Sequence, residues 1–206
     1  MSDDLYVHYI QRGAPDAPLV FAFHGTGGDE YQFTELLSDI LPLASVIAPR
    51  GDVSEGGAAR FFRRTGEGVY DMKDLAKRTE KMAKFVSAQM SSLPSRPVIG
   101  LGYSNGANIL ASVMFAHPDL FQRAVLMHPL IPFQPAPQPG LNGRDVLITA
   151  GARDPICPLP LTYKLARYFE TQGASVTRHV HPGGHEVQRS ELDEITGFLR
   201  AQPAEL

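Results

Sequence analysis

Cysteine is almost missing from this chain of 206 residues, where Cys157 stands alone. A single thiol excludes an internal disulfide and suits a reducing compartment, so a cytoplasmic setting is expected. No apolar run approaches the ~20 residues that a membrane-spanning helix needs, so no membrane span is expected. Long runs of one charge are lacking too, and the formal net charge is only −3. Neither nucleic acid nor an anionic membrane is therefore an expected partner. The opening Met1-Ser2-Asp3-Asp4-Leu5 has no basic segment leading into an apolar core, so no secretory leader is expected. No linker argues for a second domain either, and a single domain over residues 1–206 is expected. What remains is ordinary globular material, 43% hydrophobic and 20% charged, with ample residues for a core.

Apolar runs and helical periods alternate along the chain. Tyr6 to Ile10 reads as a short strand, and Pro18 to Phe23 as a strand covered on both faces. Residues 31–41 have helical spacing, and Ser45 to Ala48 form another buried strand. Residues 49–70, rich in glycine, read as a loop carrying Arg60-Phe61-Phe62-Arg63-Arg64. From 71 to 93 runs the clearest helix, capped by Asp71, with Met72, Leu75, Thr79, Met82, Val86, Met90 and Leu93 as its buried stripe. Asp74–Arg78 and Glu80–Lys84 are expected to pair on its solvent face. Further strands are expected at 98–102, 123–128, 145–150 and 175–181, with helices at 105–116, 159–171 and about 190–200. The alternation predicts an α/β fold with a mainly parallel sheet, in which sites form beyond the carboxyl ends of strands.

One stretch organises this pattern. Gly102-Tyr103-Ser104-Asn105-Gly106 joins a buried strand to an apolar helix, the setting a nucleophile elbow requires. The glycines let strand and helix approach, and the turn would lift the Ser104 hydroxyl above the sheet at a helix N-terminus. The same residues also fit a glycine-rich turn with Ser104 as a plain helix N-cap. Three further strand ends carry chemistry: His24-Gly25-Thr26-Gly27-Gly28, Gly151-Ala152-Arg153-Asp154-Pro155 and His181-Pro182-Gly183-Gly184-His185. Among later carboxylates, Asp145 precedes its strand, Asp119 comes after a helix leading away, and Glu170 sits within a helix. Asp154 alone falls just past a strand's carboxyl end, where it could otherwise serve as an Asp-Pro turn residue. His179 and His181 are expected on the polar face of an edge strand, which leaves His185 as the base. The cluster His179, His181 and His185 suggests zinc, yet no nearby Asp or Cys completes such a site, and no metal is expected. Cys157 lacks an elbow and adjoins prolines, which disfavours it as a nucleophile.

In order, these motifs resemble those of the α/β-hydrolase superfamily, and more narrowly its small bacterial serine carboxylesterases, the phospholipase/carboxylesterase group. The resemblance rests on His24 to Glu30, Arg60 to Arg64, Gly102 to Gly106, Gly151 to Pro155 and Gly184-His185. It implies an α/β-hydrolase fold with helices on both faces of a twisted sheet, no separate cap domain, no cofactor and often a homodimer. It also implies Ser104 as nucleophile, His185 as base, Asp154 as orienting acid, and the amides of Thr26 and Asn105 as the oxyanion hole. Phe61, Phe62, Arg63 and Arg64 are expected to flank the pocket, the arginines either pairing with carboxylates or receiving an anionic substrate. Small esters are the expected substrates. Some relatives take part in quinone or catechol stress responses. Other members are lysophospholipases or acyl-protein thioesterases, and a non-catalytic small-molecule binder would keep the same pocket. Related dienelactone hydrolases have cysteine where this chain has Ser104, which argues against that activity.

Overall fold

The computed structural model describes residues 5–93 and 96–201. In chain order its elements are β1 (His8–Gln11), β2 (Leu19–Phe23), α1 (Thr34–Ile40), β3 (Ser45–Pro49), β4 (Val53–Glu55), β5 (Ala58–Arg60), β6 (Arg64–Gly66) and β7 (Val69–Tyr70). Then come α2 (Met72–Ser91), β8 (Val98–Tyr103), α3 (Asn105–Ala116), β9 (Arg123–Met127), β10 (Asp145–Gly151), α4 (Leu159–Thr171), β11 (Ser175–His181) and α5 (Arg189–Arg200). Seven strands form one sheet in the order β1-β3-β2-β8-β9-β10-β11. All neighbours pair in parallel except β1, which runs antiparallel to β3.

Strand alternation divides the core in two. Along β2, Leu19, Phe21 and Phe23 enter one apolar cluster while Val20 and Ala22 enter the other. The first cluster takes Leu75 and Met82 of α2, Ile109 and Val113 of α3, and Leu165 and Phe169 of α4. The second takes Leu37 and Ile40 of α1 with Ile195 and Leu199 of α5. Both faces of β2 are thus covered, which explains its uninterrupted apolar run. No separate cap domain stands among the described residues, and none of their helices is long and apolar enough to cross a membrane.

Helix α2 has the expected cap, with the Asp71 carboxylate accepting from the Asp74 N–H at 3.0 Å. Its ends differ from the sequence reading. Met72 is exposed at the first helical position rather than in the stripe. Asp74 is buried rather than on the solvent face, because it accepts the Arg63 N–H at 2.8 Å as well as pairing with Arg78. Glu80 meets His117 at 3.0 Å rather than Lys84. Residues 49–70 are not a plain loop: β4 pairs with β5 and β6 with β7 as two short antiparallel ladders. Gly56 and Gly57, both at positive φ, close the first as a two-residue hairpin.

Close approach of β2 and α3 fixes the elbow. A Cβ on Gly106 would stand 2.1 Å from the Phe23 carbonyl oxygen, and one on Gly102 2.6 Å from that of Gly106. Gly106→Ala is therefore expected to destabilise the protein by ~3 kcal/mol, the upper end of what overpacking costs, since the backbone at the end of β2 must move. Urea unfolding measures this, and a midpoint equal to that of the parent would refute the close contact.

Candidate active site

Ser104 is the single residue between β8 and α3, and it holds φ 52° and ψ −115°. For a residue with a Cβ that conformation costs on the order of 1–3 kcal/mol and persists only where surroundings enforce it. Here the Ser104 N–H donates to the Met127 carbonyl at 2.8 Å, while its own carbonyl accepts from Asn108 at 3.0 Å. The side chain makes no capping bond, so the plain N-cap reading does not hold. Instead Ser104 Oγ lies 3.0 Å from His185 Nε2. His185 Nδ1 lies in turn 2.7 Å from Asp154 Oδ2.

The two outer partners come from neighbouring loops that are tied together. Ala152 and Arg153, just past β10, donate their N–H groups to the carbonyls of His181 and Gly183, at the end of β11 and just past it, at 2.8 and 2.9 Å. A Cβ on Gly151 would fall 1.9 Å from the Gly184 carbonyl oxygen, so glycine is required where these loops meet. Tyr103, inside the elbow, donates its hydroxyl to the His185 carbonyl at 2.7 Å and lays its ring beside the imidazole. The elbow thus grips the histidine loop directly.

The Asp154 carboxylate is wholly buried. Burial pushes its pKa up, but the N–H of Cys157, with His128, His185 and the N–H of Ile156, outweighs this and holds it below the usual value. Its Oδ1 accepts the N–H groups of Ile156 and Cys157 at 2.8 and 2.9 Å. Cys157 lines the same cavity as Ser104. Burial first, then the charge of Asp154, pushes its thiol up, and Sγ donates to the His128 carbonyl at 3.1 Å.

A cavity of about 360 Å³ opens over Ser104, with Thr26, Asn105 and His185 in its wall. Asn105 begins α3, so its N–H has no intrahelical acceptor. Among the described residues, the loop after β2 uses the N–H groups of Gly25, Gly27 and Gly28 and leaves that of Thr26. Of the residues expected to flank the pocket, Arg64 does so, as does Arg60. Both are paired: Arg60 with Glu55, Thr26 Oγ1 and the Phe62 carbonyl, Arg64 with Glu55 and Glu67. Phe61 and Phe62 do not line it. They are fully buried, their rings packed on Phe23, His24 and Tyr70 in the core. Arg63 points away and meets Asp71 and Asp74 instead.

Tyr70, Asn108 and Leu130 form an inner wall that the sequence does not announce. Asn108 donates to the Tyr70 hydroxyl at 2.8 Å and accepts from the Leu130 N–H at 2.7 Å. His128 also escapes the sequence reading. It is fully buried with Nδ1 2.9 Å from Asp154 Oδ2, although it comes immediately after β9, at a strand's carboxyl end like the other site residues. His181, expected on a polar face, is also buried. The end of β11 tucks beneath α5, where Gly183 and Glu191 supply partners.

A sheet of this topology, with a strained serine between strand and helix, defines an α/β-hydrolase. No protein-family model matches the chain. The Bacillus subtilis putative hydrolase MhqD is 38% identical over 195 residues, covering 94% of this chain and 97% of its own. A Bacillus cereus carboxylesterase of known structure is 35% identical with a TM-score of 0.89, covering 96% of this chain and 95% of that one. A structure from Agrobacterium tumefaciens, of a protein of unknown function, is 54% identical with a TM-score of 0.91, over 97% and 98% of the two chains. The chain belongs to the α/β-hydrolase superfamily, among its small bacterial carboxylesterases, and it is a hydrolase.

Proposed function

We propose that this hydrolase cleaves small carboxylic esters through an acyl-enzyme on Ser104. The observation that carries this reading is the unbroken series from Ser104 Oγ through both nitrogens of His185 to a buried Asp154. Ser104 Oγ attacks the ester carbonyl as His185 Nε2 takes its proton. Asp154 fixes the imidazole tautomer and steadies the imidazolium. The N–H groups of Thr26 and Asn105 receive the oxyanion, each such donor being worth ~3 kcal/mol in the transition state. His185 then protonates the leaving alcohol, and water, activated by the same imidazole, releases the acid. The name of the Bacillus cereus relative supports an ester as substrate. Labelling with a reactive organophosphonate tests the nucleophile: the adduct is expected on Ser104, and an adduct on Cys157 would overturn the reading.

Cavity size supports small esters. A volume of about 360 Å³ is at the low end of the ~300–1,000 Å³ usual for ligand sites, and Tyr70 and Leu130 lie within its wall. Each methylene buried there is worth up to ~0.8 kcal/mol, about fourfold in kcat/KM. On p-nitrophenyl esters from acetate to palmitate, kept below aggregation, kcat/KM is expected to climb over the first few carbons and then level or fall. A maximum at long chains would replace the small-ester reading with a lysophospholipase or acyl-thioesterase.

A further inference from the structure

Behind Asp154 lies a second, wholly buried set of ionisable groups. His128 Nδ1 is 2.9 Å from Asp154 Oδ2, the same oxygen that His185 contacts. Its Nε2 is 3.3 Å from Glu191 Oε2 and 3.4 Å from His181 Nε2. The side chains of His128, Asp154, Glu191 and His181 have no exposure to solvent. His128 also holds φ 48°, the only non-glycine residue besides Ser104 at positive φ among the described residues. The two strained residues thus stand at the two ends of one series of contacts, Ser104 to His185 to Asp154 to His128, and strain kept in a core is characteristic of working sites.

Three nitrogen and oxygen atoms this close would also suit a metal ion. The hydrogen bonds argue otherwise. His181 Nδ1 accepts the Gly183 N–H at 3.1 Å, so its proton sits on Nε2 and faces the cluster where a metal would need a lone pair. His181 Nε2 lies 3.4 Å from His128 Nε2 and 3.5 Å from Glu191 Oε2. Glu191 accepts from Thr149 Oγ1 and from the Gln188 N–H at the start of α5. Each ring nitrogen of His128 thus faces a carboxylate oxygen, Asp154 on one side and Glu191 on the other.

We propose that His128 is a positioning residue, doubly protonated between Asp154 and Glu191, that pins the acid and opposes the charge that forms on His185. This deepens the proposed function and rests on Asp154 being the orienting acid. Asp154 is held by four donors, two backbone N–H groups on Oδ1 and two imidazoles on Oδ2, so its carboxylate cannot turn. The His128 and His185 rings are 5.2 Å apart between centroids, close enough for two positive charges to repel strongly. His185 is thereby driven to pass its proton on to the leaving alcohol. Burial alone would push His128 down, but the hydrogen bonds and charges of Glu191 and Asp154 outweigh it and raise it. Burial raises Glu191, and its bonds to His128 and Thr149 outweigh that and lower it. The other ionisable groups facing His128 are His185, the Tyr103 ring on β8, Cys157 through its thiol, and His181, which has Glu186 and His179 nearby.

His128→Asn tests the proposal. Asparagine tolerates positive φ and can keep the donor to Asp154, but it removes the charge. The acid limb of the kcat/KM profile is expected to move up by about one to two pH units, because protonated His185 no longer faces a cation. Glu191→Gln is expected to move it in the same direction, and the double variant no further than His128→Asn alone. A folded His128→Asn with an unmoved limb overturns the proposal. Nitrogen NMR of the unsubstituted protein gives a second reading that needs no variant. Both His128 nitrogens are expected to carry protons at pH 8, and one bare nitrogen would overturn the proposal equally. Asp154→Asn with normal activity would instead overturn the assignment of the acid, so the two failures are separable.

Discussion

Ser104→Ala is expected to lower kcat by a factor on the order of 10⁶ while the protein stays folded. The hydroxyl makes no capping bond and, among the described residues, hydrogen-bonds only to His185, so its loss removes the attacking atom and little else. Alanine keeps the Cβ and therefore the backbone strain at φ 52°. Glycine would release that strain, about 1–3 kcal/mol, against the ~0.5–1 kcal/mol that its extra freedom costs in the unfolded chain. Ser104→Gly is accordingly expected to be as inactive as Ser104→Ala yet more stable by about 1 kcal/mol. Hydrolysis assays and urea melts on the two variants check this. Acyl-enzyme seen by mass spectrometry in either would show that the nucleophile lies elsewhere.

Asp154→Asn is expected to lower kcat by about 10⁴, the size of the same change in serine proteases. An amide beside His185 Nδ1 either donates into its N–H or forces the other tautomer, and both outcomes spoil the base. Asp145→Asn is the control. It stands at the start of β10, the opposite edge of the sheet, where its carboxylate meets Arg123 at 3.8 Å. Its replacement should change kcat by less than about twofold, since it lies at the far edge of the sheet from the reacting atoms and any cost falls on stability instead. The reverse ranking, in assays at saturating substrate, would remove Asp154 from the mechanism.

Much of this arrangement is legible in the amino-acid sequence. The buried strands announce themselves as unbroken apolar runs because helices cover both faces of the sheet, and α3 and α4 begin and end where periodicity places them. Ser104, Asp154 and His185 emerge because each stands just beyond the carboxyl end of a strand. Strands β4 to β7 escape because two or three residues are too few to establish a period, although Gly56-Gly57 marks their first turn. Phe61 and Phe62 mislead because a motif tells where a segment lies and not which way its side chains face. Glu191 is the hardest to see. Along α5 it resembles any charge on an amphipathic helix, and only the packing of that helix over β10 and β11 reveals it as buried.

The site is also assembled from distant parts of the chain. Ser104 and His185 are 81 residues apart, His128 and Glu191 63, and His185 and Asp154 31. Each of these contacts closes a long loop, whose entropy must be spent before the contact gives anything back. Parallel pairing of β8, β9, β10 and β11 has to be complete before the serine, the acid and the imidazole can meet. A growing chain leaving the ribosome therefore lacks this arrangement while β11 and α5 are still unmade or undocked. Return of esterase activity after refolding is consequently expected to wait for the docking of β11 on β10.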